Sequence, residues 1–164
     1  MTQTILFAPI GTIHSPFTEL AGMPIQPAGA KGIKGTVVIE TQFSEALADL
    51  NGFTHIILIY HFHRAQGFSL KTKPFLDDTE RGLFATRAPR RPNPIGISAV
   101  KLTNIVDNVL HVENIDILDG TPLLDIKPYV PEFDSPEYIK IGWLASKSTG
   151  AKKTKSDERF KNRQ

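Results

Sequence analysis

The sequence predicts a mainly β protein: a small antiparallel β-barrel with short helices and long loops. Three observations support this fold class. Segments with strand character recur along the chain with no long helical pattern between them. The pairs Asp107-Asn108 and Asp119-Gly120 are turn formers that separate the last three of these segments. The length of 164 residues, 40% of them hydrophobic, suits one domain with a substantial core.

The chain opens with an apolar stretch, Ile5 to His14, that Pro9 and Gly11 interrupt, and we predict a short strand there. Three prolines and four glycines then indicate a long loop over residues 15–35, and loops of this length are often functional. The remaining strands are predicted at Gly35 to Glu40, Phe53 to His63, Leu83 to Thr86, Ile95 to Val106, Val109 to Ile117 and Leu123 to Tyr129. The second of these is almost continuously apolar, so we expect it to be buried on both faces.

A short helix is predicted from Ser44 to Leu50, because Ser44 is a good N-cap and an apolar stripe follows it. That stripe consists of Ala46, Leu47 and Leu50. Asn51-Gly52 ends the helix, and residues 64–80 are polar and loop-like.

The positive charge is concentrated at one end of the chain. The net charge is +2, yet residues 145–164 carry seven basic and two acidic side chains, which leaves residues 1–144 at −3. The basic residues are Lys147, Lys152, Lys153, Lys155, Arg159, Lys161 and Arg163. We therefore expect a domain at 1–144 and a basic C-terminal tail at 145–164, mobile unless a partner orders it. Such a tail either contacts nucleic-acid phosphates or is a solvated chain end.

The absence of cysteine excludes disulfides, thiolate metal sites and a cysteine nucleophile. The sequence has no signal-peptide pattern and no apolar run of membrane-spanning length, so we expect a cytoplasmic protein.

Four of the seven arginines fall within eleven residues, in a segment stiffened by proline. They are Arg81, Arg87, Arg90 and Arg91. Because the guanidinium fork binds carboxylates and phosphates through two hydrogen bonds, a rigid loop of this kind is suited to an anionic ligand. The alternative is a surface loop whose arginines pair with nearby acids such as Glu80. The functional interpretation is favoured, since charged, rigid loops carry function more often than packing.

Two further groups of side chains are weaker candidates. His61 and His63 lie on one face of a predicted strand, but two imidazoles are too few for a metal site, and we expect no metal. The acidic cluster over residues 77–80 is expected to be solvated.

Residues 84–98, FATRAPRRPNPIGIS, resemble the signature of the TrmO/TsaA-like family of S-adenosylmethionine-dependent tRNA methyltransferases. Three other segments are similar to that family: Pro9 to Phe17, the pair His63-Arg64, and Asp119 to Pro131. The resemblance implies an antiparallel β-barrel enzyme that methylates N6-threonylcarbamoyladenosine at position 37 of tRNA. It also implies a homodimer with S-adenosyl-L-methionine near the subunit interface.

The same resemblance implies the site residues. The cofactor-binding set would be Pro24, Ile25, Gln26, His63, Arg64, Arg87, Ile97, Asp119, Gly120, Thr121 and Pro122. The substrate-binding set would be Arg90, Arg91, Asn93, Lys127 and Tyr129. In this scheme Arg87 pairs with the methionine carboxylate, and Asp119 takes the amino group or the ribose hydroxyls. No general base stands out among Asp119, Asp125 and Tyr129.

The chain departs from the family pattern in two places. Ile25 stands where many relatives have Arg, and Arg64 stands where bacterial relatives often have Gln. Bacterial relatives also carry a further C-terminal domain that helps to engage tRNA, whereas the ending at Ser156–Phe160 resembles archaeal relatives. Two alternatives therefore stay open: a non-catalytic barrel that binds S-adenosylmethionine or RNA, and a methyltransferase that acts on a small metabolite.

Overall fold

A computed structural model describes residues 3–147, 150 and 152–160 of the chain. Its strands are β1 (Gly11–His14), β2 (Lys34–Ile39), β3 (His55–His61), β4 (Lys71–Thr72), β5 (Arg81–Gly82), β6 (Ile95–Val106), β7 (Val109–Glu113) and β8 (Thr121–Pro128). One α-helical turn follows, α1 (Pro131–Asp134). Short 3₁₀ segments lie at Pro27–Gly29, Thr41–Leu47, Leu50–Gly52, Leu83–Ala85, Gly142–Leu144 and Glu158–Phe160.

Six of the strands form a closed barrel in the order β1-β2-β7-β6-β3-β8, and every neighbouring pair is antiparallel. The predicted fold class is confirmed. β4 and β5 form a separate two-stranded sheet. Closing the six-stranded sheet into a barrel removes the edges of that sheet.

The core fills the barrel interior because strand side chains alternate between its two faces. In β6, Ser98, Val100 and Leu102 are buried, while the residues between them are exposed. The largest fully buried side chains are Ile13, Ile56, Leu58, Leu110, Ile115, Ile117, Leu123, Val37, Val100 and Val112. Each contributes about 1.5–3 kcal/mol through burial of its apolar surface.

The prediction that the strand at 53–63 is buried on both faces is wrong. Ile56, Leu58 and Tyr60 are buried, but Ile57 and Ile59 are only half-buried. A barrel wall has one interior face, and neighbouring segments cover its outer face incompletely. Continuous apolar character therefore did not indicate full burial.

The turns predicted at Asp107-Asn108 and Asp119-Gly120 are confirmed. β6 has the expected bounds, and Asp107, with φ of 53°, opens the hairpin into β7. β7 ends at Glu113, earlier than expected, where Asn114 adopts a left-handed conformation with φ of 66°. Gly120, with φ of 72°, precedes β8.

The first predicted strand is shorter than expected. Only Gly11–His14 pairs with neighbouring strands, whereas Ile5, Leu6 and Phe7 are exposed. Pro9 has no N–H to contribute to a ladder, which limits pairing on its N-terminal side.

Two other local predictions are corrected. The segment expected to be a helix begins earlier, as a 3₁₀ segment at Thr41–Leu47, and Ser44 is not its N-cap. The Ser44 hydroxyl instead donates to the Thr41 carbonyl at 2.8 Å, a local bond that competes with capping. The strand expected at Leu83 to Thr86 is a 3₁₀ turn, in which the Thr86 hydroxyl donates back to the Leu83 carbonyl at 2.8 Å.

The C-terminal segment was expected to be mobile, but its described residues pack against the domain. Lys155 forms an isolated antiparallel bridge with Pro24, and Phe160 contacts Phe75 edge to face, with ring centroids 5.0 Å apart. Lys161 and Arg163 lie outside the described residues. No helix in the described part of the chain is long and apolar enough to cross a membrane.

Candidate functional site

A pocket with a cavity volume of about 280 Å³ opens at one end of the barrel. At this end β3 finishes, β6 begins and the connection from β7 to β8 crosses. Three further segments complete the walls: the loop after β1 (the first loop, residues 15–33), the Arg-Pro loop before β6 (residues 86–94) and the C-terminal segment (residues 145–160). We call this cavity the barrel-end pocket, and its walls are residues 20, 23–26, 60, 62–65, 75, 86, 87, 89, 91, 95–97, 116–118, 121, 156, 157 and 160.

Eight of the eleven residues predicted to contact a cofactor line the barrel-end pocket. They are Pro24, Ile25, Gln26, His63, Arg64, Arg87, Ile97 and Thr121. Asp119, Gly120 and Pro122 do not line it. Of the five residues predicted to contact a substrate, Arg91 lines the pocket, whereas Arg90, Asn93, Lys127 and Tyr129 do not.

The arginines of the Arg-Pro loop have different partners. Arg87 donates to the Gln26 side-chain oxygen at 3.1 Å, which joins this loop to the first one. Arg91 donates to the Thr86 carbonyl at 2.9 Å and lies over the Phe84 ring, so it shapes its own loop. Arg90 donates to the Gln66 carbonyl at 3.0 Å.

Arg81 pairs with Asp77 and not with Glu80. The Asp77 carboxylate is buried and accepts hydrogen bonds from Arg81 Nη2 at 2.6 Å and Lys147 Nζ at 2.5 Å. These donors, Lys147 first, hold the pKa of Asp77 well below its usual range. The expectation that this acidic cluster is solvated is therefore wrong at Asp77, whose ion pairs join the 64–82 loop to the C-terminal segment.

A chain of hydrogen bonds at the floor of the pocket was not predicted. The Tyr60 and Ser98 hydroxyl oxygens are 3.1 Å apart, and the Ser98 hydroxyl donates to Asp116 Oδ1 at 2.7 Å. Tyr60 and Ser98 are 5% and 2% exposed, so their hydroxyls are shielded from solvent, whereas Asp116 is half-buried and lines the pocket. Asp116 stands between the buried residues Ile115 and Ile117, and a single carboxylate in an apolar run was the one signal for it.

Gly96 makes room for the hydrogen-bonded side chains of Tyr60, Ser98 and Asp116. A Cβ at that position would overlap the Tyr60 ring and press on Phe62, which stacks edge to face on Tyr60 with ring centroids 5.4 Å apart. A glycine within a strand is typical of such a close approach.

Burial dominates the electrostatics of the pocket. It raises the pKa of Asp116 to about 6, against the opposing effects of the Ser98 hydrogen bond and the Arg87 charge. Burial also raises the pKa of Tyr60, so its phenol stays protonated. The pKa of His63 is lowered by burial and then by the charges of Arg64 and His61, so its imidazole is neutral at pH 7.

Asp119 lies at the end of β1, beside His14. Its Oδ1 accepts the Ser15 backbone N–H at 3.1 Å and lies 3.1 Å from His14 Nδ1. The Ser15 hydrogen bond is the main reason that the pKa of Asp119 is lowered. This carboxylate is therefore committed to a structural contact at the β1 terminus.

Two predicted substrate contacts lie elsewhere on the barrel. Lys127 forms an ion pair with Asp125 at 2.8 Å. Tyr129 packs against His55, at the opposite end of β3 from the pocket, with ring centroids 6.5 Å apart.

The C-terminal segment supplies part of the pocket wall. The Ser156 hydroxyl accepts the Met23 backbone N–H at 2.9 Å and donates to the Leu20 carbonyl. Two backbone hydrogen bonds, Gly22 N to Ser156 O at 2.8 Å and Ser156 N to Met23 O at 2.7 Å, strengthen the same junction. Ser156, Asp157 and Phe160 therefore line the pocket beside the first loop.

The residues of the pocket walls suit a small molecule that carries both a positive and a negative charge. Apolar side chains such as Ile25, Phe62 and Leu118 line the pocket, and Arg87 and Asp116 bring opposite charges to it. Among the described residues, no group of three His, Cys, Asp or Glu could hold a metal ion.

Residues 12–135 match a family model described as the tRNA-methyltransferase O N-terminal domain. A Pyrococcus abyssi protein named "Probable S-adenosyl-L-methionine-binding protein" is 54% identical, with 95% of this chain and 85% of that protein aligned. The human tRNA (adenine(37)-N6)-methyltransferase is 34% identical over 84% of this chain, which spans 33% of the human protein.

The crystal structure of TrmO from Pseudomonas aeruginosa superposes with a TM-score of 0.73 at 39% identity. The aligned region covers 86% of this chain and 63% of the solved one. This chain therefore corresponds to part of the longer human and Pseudomonas proteins. The matched model, the identity to relatives and the shared barrel confirm the resemblance drawn from the motifs, and the chain belongs to the family defined by the tRNA-methyltransferase O N-terminal domain.

Proposed function

We propose that this chain is an S-adenosyl-L-methionine-dependent methyltransferase that acts in the cytoplasm on N6 of N6-threonylcarbamoyladenosine at position 37 of tRNA. The observation that carries the proposal is the barrel-end pocket, where Arg87 and Asp116 lie against an apolar slot. The names of the Pyrococcus and human relatives support both the cofactor and the tRNA substrate.

The pocket fits the chemistry of this cofactor. S-adenosylmethionine has a carboxylate, two positive centres and a flat adenine ring, and it supplies an electrophilic methyl group on sulfur. Arg87 and Arg64 offer guanidinium groups for the carboxylate. Asp116 and Asp157 are the acidic side chains of the lining, and Phe62 and Ile97 offer apolar surface to the ring.

This chain's residues would act mainly by positioning. Methyl transfer to nitrogen is a displacement, so alignment of the two reactants and exclusion of water supply most of the acceleration. The Arg87–Gln26 hydrogen bond holds two loops against each other across the pocket, and Ser156 closes a third side. Arg90 and Arg91 offer positive charge to the threonyl carboxylate and the tRNA phosphates.

We also propose a homodimer in which a second copy approaches the open side of the pocket. Ile95 and Ile97 line the pocket yet are 42% and 51% exposed. Exposed apolar surface of this kind is typical of an interface. Light scattering at several protein concentrations tests the dimer, and a monomer at every concentration would contradict it.

Transfer of label from methyl-labelled S-adenosylmethionine tests the activity. We expect label in tRNA that carries the threonylcarbamoyl group and none in the same tRNA transcribed without it. Label in a metabolite extract and not in tRNA would instead identify a small-molecule methyltransferase. Cofactor binding by calorimetry with no transfer to either acceptor would identify a binding protein.

A further inference from the structure

We propose that the Asp116 carboxylate accepts the proton that leaves the target nitrogen, and that Ser98 and Tyr60 hold this carboxylate in place. The assignment rests on the proposed function and adds a catalytic residue to it. Asp116 was absent from the predicted site, and the carboxylate expected nearby, Asp119, is bonded to Ser15 outside the pocket.

The first argument is position. Asp116 and Asp157 are the two acidic residues that line the barrel-end pocket. Asp157 is exposed and pairs with Arg159, with Nη2 and Oδ2 2.8 Å apart. Asp116 lies on the pocket floor with no ion pair among the described residues, so its carboxylate is the one available to accept a proton.

The second argument is orientation. Because the Ser98 hydroxyl donates its proton to Asp116 Oδ1, its oxygen is available to accept the Tyr60 hydroxyl proton. β3 and β6 fix these two side chains, since Tyr60 is paired with Gly96 and Leu58 with Ser98 in the strand register. A carboxylate held by buried neighbours on rigid strands has the fixed geometry that proton transfer requires.

The third argument is charge. The titratable and charged side chains that share the pocket with Asp116 are Tyr60, His63, Arg64, Arg87, Arg91 and Asp157. Burial raises the pKa of Asp116 to about 6, while the Ser98 hydrogen bond and then the Arg87 charge oppose this rise. A base of that pKa is ionised at pH 7 and still accepts a proton readily, which is the balance that general-base catalysis favours.

The proton balance of the transfer requires such a group. The lone pair of the nitrogen forms a bond to the methyl carbon, and the carbon–sulfur bond breaks with its electron pair kept by sulfur. As the nitrogen–carbon bond forms, the N–H proton passes to an Asp116 oxygen, so the product nitrogen is neutral, and the carboxyl group later releases the proton to water. The acceptor is needed because the lone pair of a carbamoylated adenine nitrogen is delocalised, which makes it a poor nucleophile.

Two measurements test the assignment together. Carboxyl-carbon NMR on the free protein reports the pKa of Asp116 directly, and single-turnover methyl transfer to threonylcarbamoylated tRNA reports the pH profile. We expect an acidic limb that follows the Asp116 pKa. Ser98→Ala should raise this pKa by about one pH unit. The acidic limb should move by the same amount, so the rate at pH 6 should fall roughly fivefold more than the rate at the high-pH plateau.

Asp116→Asn should lower the transfer rate by about 10²–10⁴-fold while the variant stays folded. Asp107→Asn, the same change in the β6–β7 hairpin at the far end of the barrel, should transfer at the wild-type rate. If Asp116→Asn does not fold, the Ser98→Ala experiment decides alone, because that variant keeps the carboxylate.

The assignment is overturned if Asp116→Asn transfers at the wild-type rate. It is also overturned if Ser98→Ala moves the NMR pKa and leaves the acidic limb in place. A wild-type protein that transfers no label to either tRNA or metabolites contradicts the proposed function itself, which separates the two failures.

Discussion

Arg87 Nη1 and the Gln26 side-chain oxygen, 61 residues apart in the sequence, form a 3.1 Å hydrogen bond across the barrel-end pocket. This bond joins the loop after β1 to the Arg-Pro loop before β6. Both residues line the pocket, and the Arg87 charge also opposes the burial that raises the pKa of Asp116 and of Tyr60. Arg87 therefore links the two loops and supplies the positive charge that an anionic group of the ligand would meet.

Arg87→Ala should weaken the binding of S-adenosylmethionine much more than it weakens the fold. Loss of a charged hydrogen-bonding partner costs about 1.5–3 kcal/mol, which corresponds to roughly 10- to 150-fold in affinity. Isothermal titration calorimetry measures the affinity, and thermal unfolding monitors the fold.

Arg90→Ala is the matched control for this variant. It removes an arginine from the same loop, but Arg90 donates to the Gln66 carbonyl and does not line the pocket. Its cofactor affinity should stay within about twofold of wild type, below the effect of a single hydrogen bond. Equal affinities for wild type and Arg87→Ala would reject the role of Arg87.

Local features of the fold were predictable from the sequence, because local chemistry decides them. The Asp107-Asn108 hairpin and the bounds of β6 depend on turn propensity and alternation within a few residues. The motif residues of the pocket were predictable through the family resemblance, and most of them converge at the same end of the barrel.

Contacts between distant segments were not predictable in this way. Asp116 gains its importance from Ser98, 18 residues earlier in the chain, and from the Tyr60 hydroxyl on another strand. Ser156 contacts Leu20, 136 residues away, and nothing in a polar tail indicates such a contact. Strand pairing in the barrel and packing of the C-terminal segment against the loop after β1 decide these arrangements, and single-sequence patterns carry no information about either.

Ser156→Ala should reduce cofactor affinity, because the Ser156 hydroxyl bonds both Leu20 and Met23 and so holds the first loop in place. Loss of these neutral hydrogen bonds costs about 0.5–1.5 kcal/mol, or roughly 2- to 13-fold in affinity. Calorimetric titration measures the change.

Ser44→Ala is the control and should bind the cofactor normally. It removes a hydroxyl that is bonded only to the Thr41 carbonyl among the described contacts. A normal affinity for Ser156→Ala would show that the C-terminal segment does not support the pocket.

Asp77 should make the stability of the folded protein depend on pH in the acidic range. Its pKa is lowered in the folded state by Lys147 and Arg81, so the folded protein binds fewer protons there than the unfolded chain does. The stabilisation is present above the unfolded pKa of about 3.9 and is lost as pH falls toward the lower folded value. Melting temperatures measured from pH 6 to pH 2 should therefore fall less steeply in Asp77→Asn than in wild type.

That variant should also melt below wild type at pH 6, since Lys147 and Arg81 lose their carboxylate partner. The adjacent, exposed Asp78 offers a matched control, and Asp78→Asn should keep the wild-type melting temperature and its slope with pH. Parallel melting curves for wild type and Asp77→Asn across this pH range would exclude the role of Asp77.

Gly96→Ala should destabilise the barrel, because the added Cβ would overlap the Tyr60 ring. Overpacking of this kind costs about 1–3 kcal/mol. For a domain of this size, each kcal/mol lowers the melting temperature by about 2–4 °C. Gly52→Ala is the control, since nothing lies within 4 Å of its Cβ position. If both variants melt at the same temperature as wild type, the close approach of Tyr60 to β6 does not constrain position 96.

Lys152 and Lys153 should contribute to tRNA binding through phosphate contacts. Both are exposed in the segment that runs beside the pocket, close to Lys155 and its bridge with Pro24. Each lysine that neutralises a phosphate adds roughly 0.7–0.9 to the slope of log affinity against log salt concentration. Changing both to Gln should therefore reduce that slope by up to about 2, measured by filter binding from low to high salt.

The matched control changes Lys101 and Lys140 to Gln, which removes the same charge from residues that pair with Glu113 and contact Tyr138. Identical slopes for the two double variants would assign the salt dependence to net charge and not to the C-terminal segment.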